Sequence, residues 1–217
     1  MRLRVLTWNL MHGRAVPGAG RDLLTEFGDA LASWEWEIAL LQEVPPWWPG
    51  PLGARLSASA RLVLTSRNSL LAARRAIAVR WPDLIKSNGG GCNAILVRGG
   101  LTIAAHRLRR LSWLPERRWM HAVRLSPELW VANLHAGGRI AEARRAAQTA
   151  RAWAGAAPLV LGGDFNVHQL VLDGLASAGG HAADHVFVRG LEVLEPAKLL
   201  RHDPLSDHAP LLVTVGS

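Results

Sequence analysis

Tyrosine is absent from these 217 residues, and cysteine occurs once, as Cys92. No tyrosine can serve as nucleophile or proton donor, no intramolecular disulfide can close, and no cysteine-based zinc site can form. Lysine is scarce: of 25 basic side chains only Lys86 and Lys198 are lysines. Acids are missing from one long stretch, with none between Asp83 and Glu116. No apolar run approaches membrane-spanning length, and Met1–Leu10 is too short and polar for a secretory leader. A cytoplasmic protein without a membrane span is the expectation, and nothing in the pattern implies an obligate protein partner.

What is present suits one packed domain over residues 1–217. Hydrophobic residues make up 49% of the chain, enough for a substantial core, and no linker or repeat interrupts it. The formal charge is +8 and is carried almost wholly by arginine. Guanidinium forks match phosphate oxygens in pairs, so an anionic substrate such as nucleic acid, a phospholipid headgroup or a phosphorylated metabolite fits. Genomic base composition would produce the same bias, so the charge speaks to association and not to fold.

Alternation and helical spacing give an element order. Arg2–Trp8 reads as a strand with Leu3, Val5 and Thr7 on one face. Leu23, Leu24, Phe27 and Leu31 make Asp22–Trp34 an amphipathic helix. Strands are expected at 37–41, 61–65, 94–98, 101–108, 119–125, 129–134, 158–161, 185–188 and 211–215. Helices are expected after Thr65, at Arg139–Ala154 and at Gln169–Ala178. Turns are expected at Asn88–Cys92 and Ser126–Glu128. Pro45–Gly53 reads as an exposed loop presenting Trp47 and Trp48. Strands mixed with inserted helices and hairpins predict an α/β sandwich of two mixed sheets flanked by helices.

Polar residues fall at the ends of these strands. Asn9 follows the first, Glu43 the second, and His135 follows LWVAN and Leu134. Asp164 and Asn166 follow LVLGG, while Ser206, Asp207 and His208 precede the last strand. The last cluster joins the others if its strand runs antiparallel. Each residue alone has an ordinary structural role open to it, as turn former, loop acid or core histidine. Together they suit phosphoryl chemistry. A carboxylate is a hard ligand for Mg²⁺, an Asp can orient or deprotonate water, and an Asn can donate to phosphate without adding charge. A histidine can stabilise the transition state.

The sequence resembles the endonuclease/exonuclease/phosphatase superfamily through TWN at Thr7–Asn9, LQEV at Leu41–Val44 and NLH at Asn133–His135. GGDFN at Gly162–Asn166, DHVFV at Asp184–Val188 and LSDHAP at Leu205–Pro210 complete the set. The resemblance implies a deoxyribonuclease I-like fold and a Mg²⁺-dependent phosphodiesterase, with Mn²⁺ as a possible substitute. It implies Glu43 as principal metal ligand, with Asn9 and Asp207 close by, and Asp164 orienting or activating the attacking water. Asn166 would hold that water and the phosphate. His208 would contact the scissile phosphate, oriented by Asp184, and His135 would be a second phosphate-facing histidine. Arg118, in preference to Arg117, would be a phosphate contact.

Two departures stand out. Met11 occupies a position where abasic-site endonucleases carry an acid. His135 also lacks the upstream carboxylate found in deoxyribonuclease I-like members, leaving Asn93 as a candidate partner. Nucleic acid is the expected substrate. Inositol phosphates or phospholipid headgroups are the alternative, and a nucleic-acid-binding module without catalysis is the alternative of another class.

Overall fold

The structure, a computed structural model, describes residues 1–65, 68–85, 91–114, 116–126 and 128–217. Its first sheet comprises Arg2–Asn9 (β1), Ile38–Val44 (β2), Ser59–Leu64 (β3), Cys92–Val97 (β4), Glu192–Leu199 (β11) and Leu211–Gly216 (β12). The second comprises Thr102–Ser112 (β5), Arg118–Ser126 (β6), Leu129–His135 (β7), Leu159–Asp164 (β8), Ala176–His181 (β9) and Asp184–Arg189 (β10). The strand orders are β11-β12-β1-β2-β4-β3 and β5-β6-β7-β8-β10-β9. Each sheet holds one parallel pair, β1 with β2 and β7 with β8, among antiparallel neighbours. The helices are Leu24–Ser33 (α1), Pro49–Arg55 (α2), Leu71–Arg80 (α3), Pro82–Ile85 (α4) and Ile140–Ala154 (α5). This is the expected sandwich of two mixed sheets.

Period-two alternation decides which residue meets which layer. Leu3 and Val5 of β1 join Ile38, Ile95, Val131, Val160, Val186 and Val213 between the sheets. Leu6 and Trp8 point the other way, onto Phe27 and Leu31 of α1 and Leu52 of α2. On the far side of the second sheet, Ala143, Ala146, Ala147, Ala150 and Ala154 bring α5 close to Leu134 and Leu161. Each fully buried Val or Leu contributes about 1.5–3 kcal/mol. A polar link crosses the centre of the inter-sheet core. Gln42 Nε2 donates to Asn133 Oδ1 at 2.8 Å, and Asn133 Nδ2 donates to the carbonyls of Leu41 and Ala94, both at 2.9 Å.

Several sequence expectations need correction. Pro45–Gly53 is not an exposed loop: helix α2 begins at Pro49, and prolines in a first helical turn lack only an N–H that has no intrahelical acceptor. Trp48, 2% exposed, packs on Phe27 with ring centroids 5.4 Å apart, and Trp47 is partly buried on the same core. No helix forms over Gln169–Ala178. Gly174 there has φ +71°, and the following residues pair with β10 as strand β9. Strand β11 was not expected, because Pro196 interrupts it. It lies at a sheet edge, where the register shifts between Glu195 and Lys198 and no ladder donor is needed. The expected turns through Asn88–Gly90 and Pro127 lie outside the described residues.

Candidate active site

Strand direction gathers the polar clusters. Parallel pairing places Asn9 opposite Gln42, next to Glu43, and His135 opposite Asp164. Antiparallel pairing places Asp184, the first residue of β10, opposite Asp164, the last of β8. The turn before β12 is drawn in by Ser206, whose Oγ donates to the Asn9 carbonyl at 2.7 Å and accepts from His208 N at 3.1 Å. Trp8 Nε1 donates to the His208 carbonyl at 2.9 Å.

Asp164, 1% exposed, is the hub. Its Oδ1 accepts from Asn166 N at 2.8 Å and its Oδ2 from Asn9 Nδ2 at 3.0 Å. His135 Nε2 lies 3.5 Å and His208 Nε2 4.0 Å from that Oδ2. Burial and the neighbouring Asp184 charge raise the Asp164 pKa to about 6, against the opposing pull of His208 and the two hydrogen bonds. Asp184 Oδ2 lies 2.7 Å from His208 Nδ1. Burial alone would lower the His208 pKa. The hydrogen bond and charge of Asp184, with Asp164 and Asp207, outweigh it and raise the value to about 9. A protonated His208 therefore directs Nε2 toward Asp164.

The other side of the site holds His135, Arg118, Glu43 and His12. Burial, then the charges of Arg118, His12 and His208, push the His135 pKa well below its ordinary value, so the ring is neutral. Arg118 Nη1 lies 2.7 Å from His135 Nε2, which must accept because guanidinium cannot. The His135 proton then sits on Nδ1, 3.8 Å from Glu43 Oε1. Glu43 Oε2 is 3.1 Å from His12 Nε2. Backbone strain gathers here as well. Five of the eight described non-glycine residues with positive φ are Met11, His12, Glu43, Asn166 and Ser206. Such conformations persist where surrounding structure holds them, and they favour functional sites.

Residues 6–208 match the profile of the Endonuclease/Exonuclease/phosphatase family. The chain belongs to that family. No curated protein matches its sequence. Among solved structures, the family member from Beutenbergia cavernae aligns with TM-score 0.71 at 16% identity, over 99% of this chain and 71% of its own. A humanized D. rerio TDP2 carrying 14 mutations aligns with TM-score 0.72 at 14% identity, over 100% and 99%. The mannosyl-6-phosphatase from Bacteroides thetaiotaomicron aligns with TM-score 0.72 at 17% identity, over 99% and 100%. These similarities establish the fold.

Of the residues marked from sequence, Asn9, Glu43, Arg118, His135, Asp164, Asn166, Asp184 and His208 converge in this endonuclease/exonuclease/phosphatase site. The hydrogen bond expected between Asp184 and His208 is present. Asp207 is exposed, and its carboxylate acts on His208 through charge. Arg117 is exposed, whereas Arg118 faces His135. Asn93 does not orient His135, because its Nδ2 donates to the Trp119 carbonyl at 2.9 Å. His12 was missed. Only its place three residues after Asn9 hinted at it, and a left-handed turn at Met11 and His12 carries it to Glu43.

A divalent cation fits this arrangement. Two buried carboxylates oppose each other, Asp184 Oδ1 has no hydrogen-bond partner among the described residues, and Asp164 is pushed toward protonation. Burial and the repulsion between the two carboxylates both favour a positive ion beside them. Donor atoms of Asp164, Asp184 and His208 lie within 4.8 Å of one another, a group able to hold a metal. That buried cluster is consistent with a metal site in a hydrolase of this family.

Proposed function

We propose that this protein hydrolyses phosphodiester bonds of nucleic acid with the help of a divalent cation, Mg²⁺ or in its place Mn²⁺. The observation that carries the reading is the opposed pair Asp164 and His208: a carboxylate whose pKa is near 6 beside an imidazole whose pKa is near 9. At neutral pH the first is mostly ionised and the second protonated, which suits a proton acceptor and a cationic donor. Asp164 takes the proton of a water as its oxygen bonds to phosphorus and the bond to the leaving oxygen breaks, and that oxygen takes a proton from solvent to leave as a hydroxyl. Charge gathering on the non-bridging oxygens meets the His208 imidazolium, held in place by Asp184. Asn166 positions the water and phosphate, while Arg118 supplies a further cationic donor.

By the resemblance, Glu43, with Asn9 and Asp207, would hold the cation, and the Asp164–Asp184–His208 group is the other candidate position. In the Asp164–Asp184–His208 cluster, His208 Nδ1 and Asp184 Oδ2 are already engaged with each other. When bound, the ion would supply positive charge near the scissile phosphate. The +8 charge supports nucleic acid as substrate. A metal-supplemented activity panel tests the whole reading: bis-p-nitrophenyl phosphate, single- and double-stranded DNA, RNA, inositol phosphates, a sugar phosphate and phospholipids. Turnover of nucleic acid that EDTA abolishes is the expected result. Exclusive turnover of a phosphomonoester or lipid would replace the substrate. Binding without turnover of any compound would refute hydrolysis.

A further inference from the structure

The stretch without acids leaves its mark on the edge of the second sheet. Strand β5 carries Arg107, Arg109 and Arg110 with no carboxylate of their own, and none of the three forms an ion pair with a described residue. At its end lies a groove of about 430 Å³ between Arg109, Arg110, Trp113, Trp119 and Arg145. The Arg110 guanidinium stacks 3.5 Å from the Trp113 ring centroid and 5.8 Å from that of Trp119. Arg145 reaches in from α5 and donates to the Leu111 carbonyl at 3.2 Å. Trp113 remains 61% exposed. The groove adjoins the site described above, because Arg118, which contacts His135, immediately precedes Trp119 and pairs in register with Ser112.

We propose that this groove is an accessory binding site for single-stranded nucleic acid, gripping the strand to one side of the scissile phosphate. A base stacks on the open face of Trp113, and the adjacent phosphates meet Arg109, Arg110 and Arg145. A duplex keeps its base faces covered, so the exposed indole selects an unpaired strand. The stacking of Arg110 on Trp113 fixes the guanidinium plane and leaves its N–H edges for phosphate. The inference rests on nucleic acid being the substrate.

The test compares the full-length protein with Trp113→Ala and Arg110→Gln. Fluorescence anisotropy with a labelled single-stranded oligonucleotide in EDTA reads binding without metal-dependent turnover. Turnover of the oligonucleotide and of bis-p-nitrophenyl phosphate is measured separately with Mg²⁺. Trp113→Ala should weaken strand binding about 5- to 150-fold, the worth of one stacked base. Arg110→Gln should weaken it and flatten its salt dependence by about 0.7 in log–log slope. Both should raise KM for the oligonucleotide, leave kcat nearly unchanged, and leave the small substrate untouched. Binding by both variants within twofold of the parent would overturn the groove while leaving the nuclease reading standing. Failure of the parent itself to bind or cleave any oligonucleotide, while still hydrolysing another phosphate ester, would overturn both. Equal capture by anionic phospholipid vesicles, lost in both variants, would make a lipid surface the occupant and overturn the strand.

Discussion

Asp164 and His208 hold their protons more tightly than free side chains do, for different reasons. Burial and a like charge act on Asp164, whereas three neighbouring carboxylates and a hydrogen bond overcome burial at His208. Hydrolysis that needs Asp164 ionised and His208 protonated should rise as pH passes about 6 and fall as pH passes about 9. Asp184→Asn removes the bond and charge that raise His208, so its descending limb should move to lower pH. Each of Asp184→Asn and His208→Ala should lower kcat by about 10²–10⁴, and the double variant should be little worse than His208→Ala. A kcat/KM profile whose descending limb is unmoved in Asp184→Asn would refute the pairing as functional. Stability follows the same sign in the metal-free protein. Both folded pKa values exceed the unfolded ones, so stability should decline with rising pH, first as pH passes about 6 and again toward about 9. A second prediction separates the two candidate metal positions. Glu43→Gln should abolish the Mg²⁺-induced rise in Tm, and Asp184→Asn should keep it. The reverse pattern would move the ion to the Asp164–Asp184–His208 group. Residues at strand ends were legible in the sequence because strand polarity alone brings them together. His12 was not, because a left-handed turn sets its place and no periodicity encodes that.

Elements were legible where burial is two-faced. The alternation of Leu3 and Val5 against Leu6 and Trp8 reports a strand between two apolar layers, and the heptad-like alanines of α5 report a helix lying close on a sheet. Pro49–Arg55 misled because proline density suggests a loop, yet prolines in the first turn begin a helix well. Trp48→Ala should therefore act on stability, costing about 3–5 kcal/mol as a large buried aromatic does. Strand affinity of the still-folded fraction should not change. A loss of oligonucleotide binding with unchanged Tm would return Trp48 to the surface. Gly163 is a different case. It has φ +138°, and a Cβ there would lie 2.0 Å from the Leu134 carbonyl oxygen. Gly163→Ala should thus force β7 and β8 apart where Asp164 and His135 face each other. Impaired folding or loss of activity is expected, and a variant with parental Tm and kcat would show that the strands give way freely.

At the scale of the whole molecule, the excess of arginine is unevenly spent. Arg4 is paired with Glu37, Arg14 with Asp83, and Arg2, Arg21 and Arg55 with Glu195, Glu26 and Asp29. Acids of the first sheet and its loops thus neutralise the arginines near them, whereas β5 has none to offer. β5 is therefore a local concentration of positive charge at one edge of the second sheet. The bare charge count in the sequence could not say this, because pairing depends on which strands become neighbours. If Arg109, Arg110, Arg145 and Arg118 each meet a phosphate, single-strand affinity should fall with salt at a log–log slope of about −2 to −3. Chains of two or three nucleotides, which carry too few phosphates to engage four arginines, should show a much flatter response at the same ionic strengths. A steep slope for long strands and a flat one for short strands would locate the extra contacts outside the catalytic centre. Equal slopes for both lengths would place every phosphate contact at the centre itself and leave the arginine edge as a device against sheet-edge pairing.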